Sequence, residues 1–270
     1  MIEIVSKKEG AELTSIKFNG EEKIHDGIND WNRHSPILFP IVGKLKDGKT
    51  VIENKVCKMG QHGFARDMEF KKIGDNEYSL KYNNETLEKY PYKFELIVSY
   101  ETTENSVITN YEVKNIDDKE IIFGLGAHPA FKCNYENCEL VFEKEEDKIE
   151  FYQLENGLIK NEKEDKNKFL VGKNIKLNKN IFNDDAIIMK NLQSNKVILK
   201  ENEKNILEFN FKDFPYLAIW SKTNAKFLCI EPWFNTADKV NSTGIFAEKE
   251  NILKLKSNTS FKCSYTVKFL

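Results

Sequence analysis

The chain has 270 residues and a formal net charge of -2, because 41 Lys and Arg residues nearly balance 43 Asp and Glu residues. This balance excludes a nucleic-acid or membrane partner that is held by bulk positive charge. Hydrophobic residues make up 40% of the chain and aromatic residues 12%, which is enough for one large core, so we expect a single domain over residues 1–270.

The N-terminal residues, the apolar stretches and the cysteines indicate where in the cell the protein is expected. Residues 1–5 carry no basic region followed by an apolar run, and no apolar stretch approaches the roughly 20 residues that span a bilayer. The five cysteines are odd in number and scattered, which favours reduced, buried thiols over disulfides. We therefore expect a cytoplasmic protein without a membrane partner, either a monomer or a weak homodimer.

The first third of the chain predicts short antiparallel strands. Residues 1–24 contain Asn19-Gly20, a strong hairpin-turn signal. Residues 37–43 are apolar but contain Pro40, which suits a strand that bends or ends there. Residues 50–59 predict a second hairpin around Glu53-Asn54, and residues 68–73 predict a strand.

The rest of the chain predicts one short helix and further strands. The helix covers residues 84–90, capped by an asparagine and stopped by Pro91, while residues 160–180 are polar and predict loop or weak strand. Alternating side chains predict strands that are buried on one face: Phe94, Leu96, Val98 and Tyr100; Val107, Thr109, Tyr111 and Val113; Phe261, Cys263, Tyr265, Val267 and Phe269. Many strands and almost no helix predict an all-β fold, a large antiparallel sandwich or barrel with a broad concave face.

A histidine follows the most apolar of these strands. Residues 121–123 are Ile-Ile-Phe, and Gly124 and Gly126 then allow the backbone to bend or to approach another group closely. His128 comes next, followed by Pro129. A proton-transfer group is expected at such a position, although a core histidine bonded to a backbone carbonyl fits the pattern equally well.

Glu231 stands between an apolar run, residues 227–230, and Pro232-Trp233-Phe234. A carboxylate in such surroundings is partly desolvated, which raises its pKa toward that of a useful general base. The alternative is a glutamate at the end of a strand that points into solvent. We favour a functional role because proline and tryptophan crowd the position.

The third candidate is the segment His62-Gly63-Phe64-Ala65-Arg66, which predicts a ligand-facing loop. Only two arginines occur in this lysine-rich chain, Arg33 and Arg66, and a retained arginine can mark a need for a planar, bidentate donor. The alternatives are chance and a surface ion pair of Arg66 with Asp67, which would contribute little.

The remaining polar and aromatic candidates are weaker. Asp184-Asp185 fits a turn, His25 and His34 fit loops, and a tryptophan in a β-rich chain is more often core than sugar platform. Of the three tryptophans, Trp233 has the best claim to a ligand because it neighbours Glu231.

Five segments together resemble the aldose 1-epimerase (galactose mutarotase) family, in its small bacterial branch. They occur in the family's order: residues 36–44 (PILFPIVGK), 62–66 (HGFAR), 126–131 (GAHPAF), 184–186 (DDA) and 229–233 (CIEPW). The resemblance implies a single-domain β-supersandwich with a sugar site in its concave sheet. It also implies interconversion of the α and β anomers of a free aldose, without a metal or an organic cofactor.

The resemblance also implies roles for individual residues. His128 would be the general acid that protonates the ring oxygen, and Glu231 would be the general base that takes the anomeric proton. His62, Asp185 and Arg66 would bind or lie near the sugar, with the neighbouring Asp184 leaving the register open by one residue. Lys44 stands where the family usually has arginine, which keeps the charge but loses the planar fork.

Three alternatives remain open. Arg33, Lys44 and Arg66 could supply charge for a hexose 6-phosphate. The sandwich could instead bind sugar without chemistry, as a sensor or binding module. A two-histidine, one-carboxylate zinc centre built from His62, His128 and Glu231 fits by residue type, but no short-spaced ligand pair supports it.

Overall fold

Two large antiparallel sheets dominate the structure, a computed structural model that describes residues 1–270. The first strands are β1 (Ile2–Ser6), β2 (Leu13–Phe18), β3 (Glu21–Glu22), β4 (Ile37–Leu38), β5 (Lys49–Ile52), β6 (Lys55–Lys58), β7 (Lys71–Gly74), β8 (Glu77–Lys81), β9 (Phe94–Thr102), β10 (Ser106–Asn115), β11 (Ile121–Phe123), β12 (Gly126–Ala127) and β13 (Ala130–Lys132). The remaining strands are β14 (Cys138–Phe142), β15 (Glu150–Tyr152), β16 (Leu154–Glu155), β17 (Leu158–Ile159), β18 (Leu170–Val171), β19 (Asn174–Lys176), β20 (Ile187–Lys190), β21 (Lys196–Glu201), β22 (Lys204–Asn210), β23 (Tyr216–Trp220), β24 (Phe227–Trp233), β25 (Leu253–Leu255) and β26 (Ser260–Phe269).

Helical structure is short. The one α-helix is α1 (Asn84–Lys89), and the 3₁₀ turns are Lys46–Gly48, Ala65–Asp67, Tyr135–Asn137, Lys166–Lys168 and Phe246–Glu248. Asn83 caps α1 by accepting a hydrogen bond from the Thr86 N–H, so the predicted asparagine cap is confirmed. None of these helices is long and apolar enough to cross a membrane.

The larger sheet has ten strands in the order β18-β19-β14-β21-β22-β26-β10-β9-β8-β7. The smaller has seven, β15-β20-β23-β24-β12-β4, with β13 also paired to β24. Strand pairs in both sheets are antiparallel. The predicted all-β antiparallel sandwich is therefore confirmed, and neither sheet closes into a barrel.

The two sheets pack face to face around a core of 64 buried residues that runs from Ile2 to Phe269. Phe131 of the smaller sheet meets Phe209 of the larger with ring centroids 5.9 Å apart. All five cysteines are free and buried, as predicted. The single domain expected over residues 1–270 stays a prediction.

Alternation along β24 divides the smaller sheet into two faces, because successive side chains of a strand point in opposite directions. Leu228 and Ile230 belong to the core between the sheets. Cys229, Glu231 and Trp233 point to the other side, where they leave that core. The functional candidates on β24 therefore share the outer face of the smaller sheet.

The local predictions succeed at hairpins and fail at some boundaries. The hairpins β2–β3 and β5–β6 form as expected. The strand predicted over residues 68–73 covers Lys71–Gly74 instead. Residues 121–131 form three short strands that belong to two different sheets, since β11 pairs with β25 while β12 and β13 join the smaller sheet.

Candidate functional site

A cavity of about 400 Å³ opens on the outer face of the smaller sheet. This volume lies within the range of roughly 300–1,000 Å³ that is typical of small-molecule sites. Its lining combines aromatic, apolar and ionisable side chains: Trp31, Arg33, Gly43, Gln61, His62, Arg66, His128, Leu154, Gly157, Asp185, Ala186, Ile188, Trp220, Glu231, Trp233 and Ala237. Six of the seven predicted site residues belong to this set.

His128 and Glu231 meet in the floor of the cavity. Nε2 of His128 lies 3.2 Å from Oε2 of Glu231, but the orientation of the two groups does not form a hydrogen bond, and neither oxygen of Glu231 has another partner. His128 comes from the connection between β12 and β13, and both strands pair with β24, which carries Glu231. The two groups that we expected to share a ligand are thus adjacent to each other, and a sugar must lie above the pair because no ring fits between them.

Aromatic rings enclose His128. The rings of Trp31, His62 and Trp220 lie 4.8, 5.5 and 5.8 Å from its imidazole, measured between centroids. Burial, together with the charges of Arg66 and Arg33, lowers the pKa of His128 to about 3. The imidazole is therefore neutral at physiological pH.

Glu231 is 1% exposed. Burial raises its pKa well above the ordinary value of 4.5, and the charge of Asp185 adds to this rise. Because desolvation penalises the charged form, Glu231 holds a proton where an exposed carboxyl would have lost it.

The segment that carries His62 is tied to the cavity wall through its backbone. The Gly43 N–H donates to Nδ1 of His62 at 3.0 Å, and the His62 N–H donates to the Gly43 carbonyl at 2.8 Å. Burial lowers the pKa of His62 well below its usual value, helped by His128 and Arg66. A neutral imidazole that accepts at Nδ1 carries its proton on Nε2, so His62 is a hydrogen-bond donor.

Gly63 makes this segment possible. Its φ of +75° is a left-handed conformation that glycine adopts without cost, and an added Cβ would lie 2.2 Å from the Phe39 carbonyl oxygen. Gly126 serves a related purpose on the opposite wall, where an added Cβ would lie 2.7 Å from Cδ1 of Trp233. The predicted close backbone approach after the strand at residues 121–123 is therefore an approach to a tryptophan of the cavity.

Both arginines of the chain line the cavity. Arg33 donates to Asp67 at 2.7 Å, and Arg66 donates to the Gln61 carbonyl at 2.7 Å. Nε of Arg66 is buried and has no hydrogen-bond partner. Burial, followed by the charge of Arg33, lowers the pKa of Arg66 to about 10, so the guanidinium group of Arg66 remains charged at neutral pH.

Asp185 and not Asp184 reaches this cavity. Asp185 has a φ of 71°, and its Oδ1 accepts a hydrogen bond from the Ala186 N–H at 2.8 Å. Asp184 lines only a shallower neighbouring cleft. A non-glycine residue with positive φ is uncommon, and His62 shares this feature with a φ of 67°, so two of the predicted binding residues have restrained backbones.

Lys44 is the predicted site residue that does not line the cavity. Its side chain is exposed, and Nζ donates to the Asn156 carbonyl at 2.9 Å. Asn156 lies in the turn of the β16–β17 hairpin, whose residues Leu154 and Gly157 form part of the cavity wall. The Lys44 side chain is long enough to reach past the opening to this hairpin. Its ammonium group therefore supports a wall of the cavity from outside.

All three tryptophans line the cavity, whereas the sequence favoured only Trp233. Trp31 and Trp220 are half-buried and lie edge-to-face, with centroids 5.8 Å apart. His25, which we predicted as a loop residue without function, bonds through Nε2 to the Trp31 carbonyl at 2.8 Å. Two aromatic faces, Trp31 and Trp220, are thus available to an apolar ring face above His128.

The sequence also gave no weight to Cys229 or Gln61. Cys229 lies two residues before Glu231 on the same face of β24, and donor atoms of Cys229, His128 and Glu231 lie within 4.8 Å of one another. This is the set in the structure with the composition of a metal site, and it differs from the set of His62, His128 and Glu231 weighed from residue type. Strand alternation around Glu231 was the signal that could have identified Cys229.

Comparisons with known proteins agree with this architecture. The aldose 1-epimerase family model matches residues 2–249. The plasmid-encoded LacX protein of Lactococcus lactis subsp. lactis is 33% identical over 97% of this chain and 94% of its own.

Solved structures extend this comparison. A galactose mutarotase related enzyme from Lactobacillus acidophilus is 30% identical, covers 100% of this chain and 95% of its own, and superposes with a TM-score of 0.89. The galactose 1-epimerase of Lactobacillus acidophilus NCFM is 16% identical over 100% of this chain and 91% of its own, with a TM-score of 0.74, which shows the fold alone. The match along nearly the whole chain shows that this protein belongs to the aldose 1-epimerase family.

Proposed function

We propose that the protein interconverts the α and β anomers of an aldose by opening and closing its ring. The observation that carries this proposal is the approach of His128 Nε2 to Glu231 Oε2, 3.2 Å apart, in the floor of a cavity of monosaccharide size. Two groups that can each accept or donate a proton lie there side by side and almost without solvent.

Anomerisation moves one proton between two oxygens on the same carbon. A base removes the proton of the anomeric hydroxyl, the bond between C1 and the ring oxygen breaks, and an acid protonates the ring oxygen. The resulting aldehyde turns about its C1–C2 bond, and closure on the other face reverses both proton transfers. Neighbouring oxygens on one carbon match neighbouring acid and base groups, so each group can contact one oxygen.

The pair needs to hold one transferable proton in total. Since burial disfavours both charged forms, that proton resides on Glu231 and His128 is neutral. From this state His128 accepts the anomeric proton and Glu231 protonates the ring oxygen. Closure reverses both transfers, so Glu231 takes the proton back from the ring oxygen and His128 returns one to the anomeric oxygen. The family resemblance implies the opposite pairing, in which Glu231 serves the anomeric oxygen and His128 the ring oxygen, and the orientation of the bound sugar decides between the two.

The surrounding side chains would hold the sugar above this pair. Nε2–H of His62 would donate to a sugar oxygen, and the carboxylate of Asp185 would accept from sugar hydroxyls. The indole N–H of Trp233 is buried without a partner and is available to a sugar oxygen. Trp31 and Trp220 would contact the apolar face of the ring.

Anomer exchange measured by NMR or polarimetry on a panel of aldoses tests this proposal. We expect His128→Gln and Glu231→Gln to lower the rate by about 10²–10⁴-fold, the usual contribution of a positioned proton-transfer group. Glu208→Gln, on β22 of the other sheet, is the matched control and should keep the rate. Sugar binding can be followed in the same variants by tryptophan fluorescence, because every tryptophan of the chain lines the cavity.

Retained binding with lost exchange supports the proposal. If both variants bind sugar and exchange anomers at the wild-type rate, the proposed reaction is wrong and the protein is a sugar-binding module without chemistry. Activity that survives in the variants is the decisive contrary result.

A specific observation also favours a phosphorylated substrate. The two arginines of this lysine-rich chain both line the cavity, and Nε of Arg66 is buried without a partner. Guanidinium groups suit phosphate because they offer planar, paired donors. The substrate panel should therefore include hexose 6-phosphates, and exchange of these alone would identify a hexose-6-phosphate 1-epimerase.

A further inference from the structure

Cys229, His128 and Glu231 bring three different metal-binding groups together at the cavity floor, where His128 and Glu231 line the cavity and the Cys229 thiol is fully buried beside them. Their donor atoms lie within 4.8 Å of one another, and all three residues are buried. Anomer exchange uses the imidazole and the carboxyl but has no need of the thiol. The thiol is therefore the feature of this corner that the proposed function leaves unexplained.

The distances suit a small tetrahedral cation. Ligand atoms at about 2.0–2.3 Å from zinc are separated from each other by about 3.3–3.6 Å. Nε2 of His128 and Oε2 of Glu231 are already 3.2 Å apart. Since no donor pair exceeds 4.8 Å, the thiol needs to approach by little more than about 1 Å, which side-chain rotation can provide.

The orphaned state of Glu231 is an independent indication of a ligand. Both carboxyl oxygens are buried and lack any hydrogen-bond partner, which is costly unless something else satisfies them. A sugar bound above the pair would satisfy one or both oxygens. A cation among the three donors would satisfy them equally well, and it would also use the sulfur.

Charge favours such an ion in this buried place. A divalent cation with one thiolate, one carboxylate and one neutral imidazole forms a neutral unit, with the thiol and carboxyl protons released to solvent. A neutral unit avoids most of the cost of burying charge, and it is not repelled by Arg33 and Arg66. Sulfur and imidazole donors select zinc over magnesium or calcium.

The backbone supports the geometry. Cys229 and Glu231 are two positions apart on one strand, and Cys229 lies opposite Ala130 of β13 in the sheet register. His128 lies in the two-residue connection between β12 and β13, and both of these strands pair with β24, which holds the three donors in a common framework.

We propose that Zn²⁺ binds to Cys229, His128 and Glu231 as an inhibitory ion that excludes the sugar from the proton-transfer pair. The ion is not a cofactor of the reaction, since it would occupy the two groups that move protons. Reduced, zinc-free protein is expected to be the active form, and sugar and zinc should compete.

Cobalt spectroscopy tests the site without any need for activity. Titration of the whole chain with Co²⁺ should give one equivalent of bound ion with a thiolate-to-cobalt charge-transfer band in the near ultraviolet, and Zn²⁺ should remove this band. Cys229→Ala should bind without the band, while Cys263→Ala, a buried thiol of the other sheet, is the matched control and should retain it. Cys229→Ser and a thermal melt of each variant distinguish lost ligation from lost folding.

Inhibition provides the second arm and depends on the proposed function. Zn²⁺ should slow anomer exchange in competition with sugar. Cys229→Ala should keep the basal rate but need at least about tenfold more Zn²⁺ for half-inhibition, since even outer ligand partners contribute 10–100-fold to affinity. A cobalt spectrum without a thiolate band, or equal zinc sensitivity in folded Cys229→Ala, overturns the inference. Failure of anomer exchange alone overturns the proposed function and leaves the cobalt arm to decide the metal site.

Discussion

Arg33 donates to Oδ1 of Asp67 at 2.7 Å, and Nε of Arg66 lies 3.9 Å from the other oxygen of the same carboxylate. Asp67 therefore balances part of the positive charge at the cavity and competes with any anion that enters. Because Asp67 is more than half exposed, this pair contributes little to folding and can yield to a ligand.

A phosphorylated sugar should depend on these arginines far more than a free sugar does. Arg33→Ala should raise the KM for a hexose 6-phosphate by about 10–100-fold, which corresponds to loss of a charged hydrogen bond, and should change the KM for the free hexose little. Asp67→Asn should lower the KM for the phosphate, because it frees Arg33. Steady-state kinetics on both substrates provide the check, and parallel changes for the two would argue against a phosphate subsite.

The pH profile of anomer exchange should be a broad plateau. The pair keeps one proton until His128 gains a second with a pKa of about 3, or until Glu231 loses its own at a pKa well above 4.5. Activity should thus fall as the pH drops through about 3 and as it rises through the Glu231 pKa. Unperturbed groups would give a narrow maximum between about 4.5 and 6.5, so an acid limb near pH 4.5 together with a basic limb near pH 6.5 is the contrary outcome.

His128 and Glu231 should influence stability in opposite directions. The pKa of His128 is depressed in the folded state, so its contribution is present above about pH 6.5 and is lost as the pH falls toward 3. The pKa of Glu231 is raised, so its contribution is present below about pH 4.5 and is lost as the pH rises through the folded value.

Denaturation between pH 4.5 and 6.5 can separate these two effects. His128→Gln should reduce the slope of the free energy of unfolding against pH by about 1.4 kcal/mol per pH unit relative to wild type, and Glu231→Gln should increase it by a similar amount. The two variants control for each other because they differ in sign. Slopes that change in the same direction would show that the buried pair does not titrate as described.

Glu12 should position the segment that carries Trp31 and Arg33. It is 2% exposed and accepts hydrogen bonds from the backbone N–H groups of His34 at 2.7 Å and Ser35 at 3.0 Å. Glu12→Ala leaves both donors unpaired and should lower the free energy of unfolding by about 3 kcal/mol.

Comparison with Glu12→Gln, which keeps an acceptor but loses the charge, separates the hydrogen bonds from the ion pair with Lys7 at 2.8 Å. The alanine variant should also raise the KM for sugar through the loosened tryptophan, with kcat less affected. Denaturant melts and kinetics on the two variants provide the measurement. An alanine variant that is as stable as wild type would show that the segment is held by other contacts.

The sequence predicted the fold class and most of the cavity because these depend on local pattern. Alternation identified one-sided strands, and the apolar surroundings of Glu231 indicated its burial. The prediction that Lys44 lines the cavity was wrong, because a long, flexible side chain can direct its charge toward several acceptors. Its ammonium group donates to the Asn156 carbonyl, which is 112 positions away in the sequence.

Contacts between distant segments explain the other omissions. Trp31 and Trp220 resemble core residues in their local sequence, and only the approach of β12, β13 and β23 around His128 makes them part of a cavity lining. The local sequence around Cys229 does not indicate its proximity to His128, since His128 comes from the connection between two other strands. Alternation could have linked it to Glu231, but not to His128.

The register of β24 in the sheet decides which of its side chains face the cavity, so the proposed chemistry depends on that register. Cys229, Glu231 and Trp233 occupy every second position, and Leu228 and Ile230 fill the core from the positions between. Insertion or deletion of one residue in this strand would turn the carboxyl of Glu231 into the hydrophobic core and would turn Leu228 and Ile230 toward the cavity. Evolution can therefore exchange individual side chains around the opening, but a change of one residue in the length of this strand would remove the buried carboxyl from the cavity and disrupt the core at the same time.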